Sequence, residues 1–158
     1  MLEGTRSKIA HEAAQVDELL FSYSPLLKIA SARTPDLTEI TALATVLHSF
    51  YNGMENIFGI IAKEIDQYYP KGTAWHRELL DQMAKSSNAR DAVLDKHARE
   101  ILLEYLSFRH FFRHSYSFHL DWTQMRSLVT EIGANWEKIR AGIHSMIESS
   151  GDSNTSTT

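Results

Sequence analysis

The segment SFRHFFRHSYSFH, residues 107–119, concentrates side chains that can do chemistry. It holds two arginines and three histidines, and from Tyr105 to Leu120 the chain has no aspartate or glutamate. The whole chain, in contrast, has a formal net charge of −4. Guanidinium, imidazole and phenol groups presented together suit an anion such as phosphate better than a metal ion. The segment is therefore the candidate functional site.

Helical spacing sorts these side chains onto two faces. Arg109, Arg113 and Tyr116 share one face of a helix, and His110 and His114 share a neighbouring face. Histidine titrates near neutral pH, so an imidazole beside a phosphodiester can take the proton of a ribose 2′-hydroxyl. An arginine can stabilise the charge that builds on the phosphoryl oxygens. This reaction cleaves RNA to a 2′,3′-cyclic phosphate and requires no metal ion or other cofactor.

The separation of Arg109 and His114 predicts that two copies of the chain are needed. The five-residue offset places the two side chains about 140° apart around a straight helix. They can meet one substrate only if the helix bends or if two chains place their segments across a symmetry axis. We therefore expect a homodimer with an isologous contact.

Two other interpretations of the segment are open. His110 and His114 have a helical spacing that can hold zinc, with His119 or Asp121 as a further ligand. However, Phe111 stands where the metallopeptidase motif has glutamate, and the arginines oppose a dication, so we predict no metal site. In the second interpretation, the arginines pair with acids of other helices and the histidines make ordinary hydrogen bonds.

The secondary-structure elements that would position the segment are predicted to be helices. No stretch of the sequence alternates apolar and polar residues, as a half-buried strand would. A first helix is predicted over about residues 5–31, interrupted at Pro25. Thr34 as N-cap, with Pro35 in the first helical position, should begin a second helix that stops at Pro70.

Three further helices complete the predicted fold. Thr73 should cap a short helix to about residue 85, and the next helix should run over about residues 92–116, past the basic segment. Asp121 with Gln124 forms a capping-box pattern that should begin the last helix. The fold class is therefore all-α, an antiparallel bundle of about five helices.

The length and composition of the chain limit its domain organisation, its possible metal and disulfide sites, and its location. The 158 residues fit one domain, expected over residues 1–148, followed by a disordered polar tail over 149–158. The absence of cysteine excludes disulfides and thiolate metal sites. No apolar run approaches the roughly 20 residues of a membrane span, and the first residues lack a signal-peptide pattern, so we expect a cytoplasmic protein with no membrane contact. The mild acidity argues against a general nucleic-acid coat, and no DNA binding is expected.

The segment resembles the motif of HEPN-domain ribonucleases, specifically the HepT toxins of HEPN–MNT toxin–antitoxin pairs. The matching residues are Arg109, the polar His110, then His114 and Tyr116. The stretches LHSFYNGMENIFGIIAKEID, WHRELLDQM and YLSFRHFFRHSYSFHLDW resemble successive segments of HepT-like proteins, over about residues 35–140. The simpler pattern, an arginine followed a few residues later by a histidine, also occurs elsewhere in the chain. Tyr116 and the acid-free surroundings distinguish the occurrence at Arg109 and His114 from the others. The other occurrences are Arg6–His11, Arg90–His97 and Arg113–His119.

The resemblance implies a small all-α homodimer whose paired motifs cut RNA without a metal ion. It implies that Arg109 and His114 are the catalytic pair, that His110 occupies the variable polar position, and that the chain is the toxin of such a pair. It further implies that a nucleotidyltransferase antitoxin of the MNT type transfers AMP to Tyr116. Arg113 lies outside the motif and is expected to assist RNA binding. The alternative is a non-catalytic HEPN-like helical module that holds a nucleotidyltransferase, and a plain helical scaffold is the third possibility.

Residues outside the segment are assigned mainly to structure. Glu55 is the exception, since it could face the segment as the charge partner of an arginine. Trp75, His76 and Arg77 are interpreted as packing and capping residues. His48 is interpreted as structural.

Overall fold

The computed structural model describes residues 1–116 and 119–152. Within them the chain forms seven α-helices and one short π-helical segment, with no strand. No helix in this part of the chain is long and apolar enough to cross a membrane. The helices are α1 (Glu3–Ser22), α2 (Ser24–Ala32), α3 (Leu37–Ile60), α4 (Trp75–Met83), α5 (Lys96–His114), α6 (Trp122–Thr130) and α7 (Ile132–Asp152), and the π-helical segment is Ile61–Ile65.

Helix α3 is the centre of the bundle. It packs against α1, α2, α4, α5 and α6. Its buried stripe includes Leu43, Leu47, Phe50, Tyr51 and Met54, all at most 1% exposed. Burial of such large apolar side chains is the dominant stabilising contribution to a helical bundle. The predicted all-α bundle is confirmed.

The first two predicted helices are correct in position but not in every boundary. The break predicted at Pro25 is confirmed, because Pro25 lies in the first turn of α2, directly after α1 ends. The N-cap of α3 is Asp36, not Thr34. Its side chain accepts a hydrogen bond from the Glu39 amide at 2.8 Å, and the Glu39 carboxylate accepts one from the Asp36 amide at 3.0 Å. Two backbone donors are satisfied in this way, whereas Thr34 would satisfy one.

The later helices are shorter than predicted. Helix α4 follows Ala74 without a side-chain cap, so Thr73 does not begin it. Helix α5 begins after Asp95, whose carboxylate accepts from the Ala98 amide at 2.7 Å. Asp121 is the N-cap of α6 as predicted, but its side chain accepts from the Thr123 amide at 2.9 Å and the predicted capping box with Gln124 is not formed.

The predicted last helix is divided at Glu131 into α6 and α7. Val129, Thr130 and Ile132 flank the break, and β-branched residues lower helix propensity. The Thr130 hydroxyl also donates to the Arg126 carbonyl at 2.8 Å, a side-chain bond that competes with the helical ladder. The break thus falls where local helix propensity is low, within an otherwise continuous apolar pattern.

The boundary of the predicted polar tail at Ser149 is wrong. Helix α7 extends to Asp152, and the hydroxyls of Ser149 and Ser150 donate to the Met146 carbonyl at 3.0 and 2.8 Å. The serines thus find backbone acceptors inside the helix. Residues 153–158 of the predicted tail lie outside the described residues.

Two buried contacts fix the start of α5 against the bundle. Arg90, which is 5% exposed, makes a two-pronged ion pair with Asp66, with both N–O distances at 2.7 Å. In α7, a β-carbon on Gly142 would lie 2.3 Å from the Val93 carbonyl oxygen, so the connection before α5 lies directly on this glycine. Arg90 therefore has a structural role, which separates the Arg90–His97 pattern from the candidate site.

Candidate functional site

The candidate site lies at the carboxyl end of α5. The helix carries Arg109, His110, Arg113 and His114 and ends at His114. Ser115 has an extended backbone, with φ −123° and ψ 153°. Tyr116 therefore lies beyond the helix, and the predicted helical face shared by Arg109, Arg113 and Tyr116 is not present. The extended backbone redirects the chain before the tyrosine.

Arg109 is buried, with 3% of its surface exposed. Its Nη1 donates to the Asn52 side-chain oxygen at 2.9 Å and to Glu55 Oε1 at 2.5 Å. The guanidinium also lies over the Tyr51 ring, 5.1 Å from its centroid. Helix α3 supplies all three partners, so the charge of Arg109 is compensated inside the bundle, as a buried guanidinium requires.

Glu55 connects Arg109 to His76. Its Oε2 lies 2.5 Å from Nδ1 of His76, while its Oε1 binds Arg109. The same Nδ1 lies 3.3 Å from Nη2 of Arg109. Nδ1 either donates to the carboxylate or accepts from the guanidinium, and the shorter distance and the carboxylate charge favour donation to Glu55. One carboxylate thus bridges a residue of α4 and a residue of α5.

The outer part of the site consists of exposed side chains. The rings of His110 and His114 lie side by side, with centroids 4.7 Å apart, and both residues are exposed. Arg113 is exposed as well, and Tyr116 has 72% of its surface exposed. This exposed set presents one guanidinium, two imidazoles and one phenol, which is the chemistry expected for binding a phosphate.

His48, on α3, lies beneath this exposed set. Its ring contacts Phe112 with centroids 5.6 Å apart, and its buried Nδ1 has no hydrogen-bond partner among the described residues. Burial lowers the pKa of His48 below its ordinary value, and the positive charges of Arg109 and Arg113 lower it further. The imidazole of His48 is thus harder to protonate than usual, and it lies close to the two arginines.

The structure brings together some of the predicted residues and separates others. The ion pair predicted between Glu55 and an arginine is confirmed, with Arg109 as the partner. Arg109 and His114 point in different directions, one into the bundle and one to solvent. One protomer therefore does not join the predicted catalytic pair, and the functional roles of these residues stay predictions.

Sequence reasoning missed two contributors to the site. His76 was assigned to packing and capping; its ring does pack on Trp75, but Ala74 is the N-cap of α4, and the imidazole also contacts Glu55. Asn52 was not considered at all. The available signal was its position three residues before Glu55, which places both on one face of α3.

The described part of the chain contains no group of three or more His, Asp or Glu side chains that could hold a metal ion. A groove of about 710 Å³ lies beside the site, between α5 and α6. Ser107, Phe108 and Phe111 line it from α5, and Phe111 is 43% exposed. The surface next to the exposed histidines is thus partly apolar.

The chain matches a protein-family model. The family model described as "HepT-like protein" matches residues 42–150, which include α3, α4, α5 and the whole candidate site. No curated protein and no solved structure matches the chain.

Proposed function

Because this chain belongs to the HepT-like family, we propose that it is the toxin of a toxin–antitoxin pair and that its homodimer cleaves RNA without a metal ion. The observation that carries the proposal is the exposed pair of His110 and His114 beside Arg113, at the end of the helix that anchors Arg109. A family match alone names a fold and a relationship, and it is this arrangement that supplies the chemistry.

The reaction uses His114 as a general base. Its imidazole takes the proton of a ribose 2′-hydroxyl, and the 2′-oxygen attacks the adjacent phosphorus. The bond from phosphorus to the 5′-oxygen breaks, and that oxygen takes up a proton from solvent. The products are a 2′,3′-cyclic phosphate and a 5′-hydroxyl, so no oxidant or metal ion is consumed.

Arg109 and Arg113 stabilise the phosphoryl oxygens in this proposal. Arg113 is exposed and contacts the RNA backbone directly. The contacts of Arg109 with Asn52 and Glu55 both use Nη1, and Nη2 lies 3.3 Å from Nδ1 of His76, so in this proposal the phosphate approaches the guanidinium from the Nε side. Because Arg109 is 3% exposed, a phosphate reaches that side only after the covering side chains move aside.

The homodimer supplies what one protomer lacks. Arg109 and His114 of the same chain face different directions, so a second copy must complete the site around one phosphate. Phe111, exposed beside His110 and the groove of about 710 Å³, gives the second copy an apolar surface to bury.

AMP transfer to Tyr116 by a nucleotidyltransferase antitoxin would silence this site. The tyrosine oxygen attacks the α-phosphorus of ATP, and pyrophosphate leaves. Tyr116 is 72% exposed and lies two residues beyond His114, within reach of a partner enzyme. The added phosphate charge would occupy the neighbourhood of Arg113 that RNA phosphate otherwise uses.

The direct test is cleavage of RNA by the purified protein in EDTA. We expect the wild-type protein to cut and to leave 2′,3′-cyclic phosphate ends, and we expect His114→Ala to lose about 10²–10⁴-fold in rate with its helical content unchanged. His144→Ala, which removes an exposed histidine of α7, is the matched control and should cut normally. A requirement for metal ions, or full activity of His114→Ala, contradicts the proposal.

One observation favours a second candidate, a non-catalytic module that holds a nucleotidyltransferase. Arg109 is buried, and its Nη1 is paired with Asn52 and Glu55, as in a purely structural arginine. In that case the wild-type protein cuts no RNA, its expression leaves growth unchanged, and substitutions in the exposed set alter complex formation with the nucleotidyltransferase. The intact mass of the protein after co-expression with that enzyme separates the two candidates. The first candidate requires AMP on Tyr116 to stop cleavage, whereas the second requires no such modification.

A further inference from the structure

His76, Glu55 and Arg109 form a chain of contacts that links α4, α3 and α5. We propose that His76 is a positioning residue for Arg109 and that it acts through Glu55. This inference rests on the proposed function, because it assigns a role in RNA cleavage to a residue that does not touch the substrate.

The geometry gives each carboxylate oxygen of Glu55 one partner. Oε1 accepts from Arg109 and Oε2 accepts from His76, both at 2.5 Å. A carboxylate held at both oxygens cannot rotate about its terminal bond, so the direction of Oε1 toward Arg109 is fixed. Without His76, Oε2 is released and the carboxylate can turn. The remaining bond from Arg109 to Asn52 has a neutral acceptor, so it is weaker than the bond to a carboxylate and does not fix the guanidinium alone.

Burial increases the effect of this chain. Arg109 and the side chain of Glu55 are 3% and 11% exposed, whereas the His76 side chain is 28% exposed, so water competes less for the bond between Arg109 and Glu55 than for the bond to His76. Electrostatic hydrogen bonds in such surroundings are stronger than in water, and an unmade bond is correspondingly costly. The orientation of Arg109 therefore depends on the two groups that hold Glu55.

The placement of His76 itself points to this role. Its ring lies against that of Trp75, with centroids 3.6 Å apart and the ring planes tilted by 30°, and Trp75 in turn contacts the ring of Tyr69 at 5.8 Å. It does not cap α4, and both polar contacts that the structure gives it are with Glu55 and Arg109. An aromatic pair thus holds the imidazole with Nδ1 directed at the carboxylate.

The role of Nδ1 can be separated from that of the rest of the ring by substitution. Asparagine places a side-chain N–H donor close to the position of Nδ1, whereas glutamine places its amide closer to the position of Nε2. His76→Asn should therefore keep Glu55 in place, and His76→Gln, although similar in size to histidine, should not. His144→Ala serves as the control for loss of an exposed histidine.

The experiment measures steady-state cleavage of a labelled RNA by the homodimer. By analogy with other residues that orient a functional group from behind, His76→Ala and His76→Gln should lower kcat by about 10-fold. Their KM should stay within about twofold of wild type, because RNA binding is not what they remove. His76→Asn should restore most of kcat. In a Glu55→Gln background, His76→Ala should have little further effect, since the two residues act in series.

The outcomes distinguish this inference from the function on which it rests. If wild-type protein does not cut RNA, the proposed function fails and the inference fails with it. If wild-type protein cuts but His76→Ala and His76→Gln keep full kcat, only the inference fails. It also fails if His76→Asn is as slow as His76→Gln, or if the His76 and Glu55 effects multiply. Should His76→Ala not fold, as judged by circular dichroism, the Gln and Asn variants carry the comparison.

Discussion

Glu55→Gln tests the buried ion pair that anchors the site, independently of any enzymatic activity. The substitution keeps the shape of the side chain and removes its charge. Arg109, at 3% exposed, would then be a buried cation whose remaining partners carry no charge to balance it. Breaking a buried pair by removing one partner costs about 3–5 kcal/mol. The glutamine oxygen can still accept from Arg109, and one hydrogen bond contributes about 1 kcal/mol, so we expect a loss of about 2–4 kcal/mol.

The assay is urea unfolding followed by circular dichroism, at one fixed protein concentration because the protein is proposed to dimerise. A loss of this size is a large part of the roughly 5–15 kcal/mol by which domains are stable, so the midpoint should move clearly. Glu137→Gln is the matched control. It breaks a surface pair with Arg140, in which the Glu137 side chain is 66% exposed, and such pairs contribute about 0–1 kcal/mol.

A double-mutant cycle decides whether the cost comes from the pair itself. Glu55→Gln with Arg109→Met removes both charges, so no uncompensated cation is left in the bundle. We expect the double variant to lose clearly less stability than the sum of the two single variants. The reasoning is refuted if Glu55→Gln costs less than about 1 kcal/mol, or if the two losses simply add.

Two further predictions concern the surroundings of the site. Burial and two nearby arginines lower the pKa of His48 in the folded protein below its ordinary value of 6.5. As the pH falls below 6.5, His48 therefore takes up a proton more readily in the unfolded chain than in the folded protein. Stability should therefore decrease as the pH falls from there through the folded pKa, and an NMR titration should show the His48 midpoint below 6.5 and moving up in Arg109→Met. An unshifted midpoint contradicts this. At Gly142, a β-carbon would lie 2.3 Å from the Val93 carbonyl oxygen, so Gly142→Ala should cost about 1–3 kcal/mol in urea unfolding. Gly133→Ala, with nothing within 4 Å, should instead stabilise α7 by up to about 1 kcal/mol, and equal effects at the two glycines would show that the contact is not tight.

The fold class could be predicted from the sequence because apolar residues recur at helical spacing in each of the long helices. Pro25 and Asp121 marked true helix boundaries, since proline lacks an amide donor and aspartate accepts from free amides at a helix start. The start of α3 was missed although its capping box is written in the sequence as Asp36 followed by Glu39 three residues later. The break at Glu131 was harder to see, because the apolar pattern runs through it and only local propensity differs.

The burial of Arg109 follows from a pattern that the sequence does contain. Ala98, Leu102 and Tyr105 are buried residues of α5, and Arg109 continues their spacing of three and four residues. An arginine at a core position requires a counter-charge from the helix that packs on it. On α3, Glu55 lies four residues after the buried Tyr51 and meets that requirement. Residue spacing could not predict the second partner of Glu55. That partner is His76, which lies on α4 and meets Glu55 only through the tertiary packing of the helices.

The position of Arg109 on the core stripe also fixes what the rest of the segment can do. Once its side chain is held by α3, the rotation of α5 about its axis is set, and a residue five positions later lies about 140° away. His114 must then face outward, as it does. In this structure the Arg109 guanidinium is buried in the bundle and the His114 imidazole is exposed, so the two side chains do not face one phosphate. In the proposed homodimer, a second copy would bring its own His114 toward the first copy's Arg109 without unwinding the helix, once the side chains that cover Arg109 have moved aside.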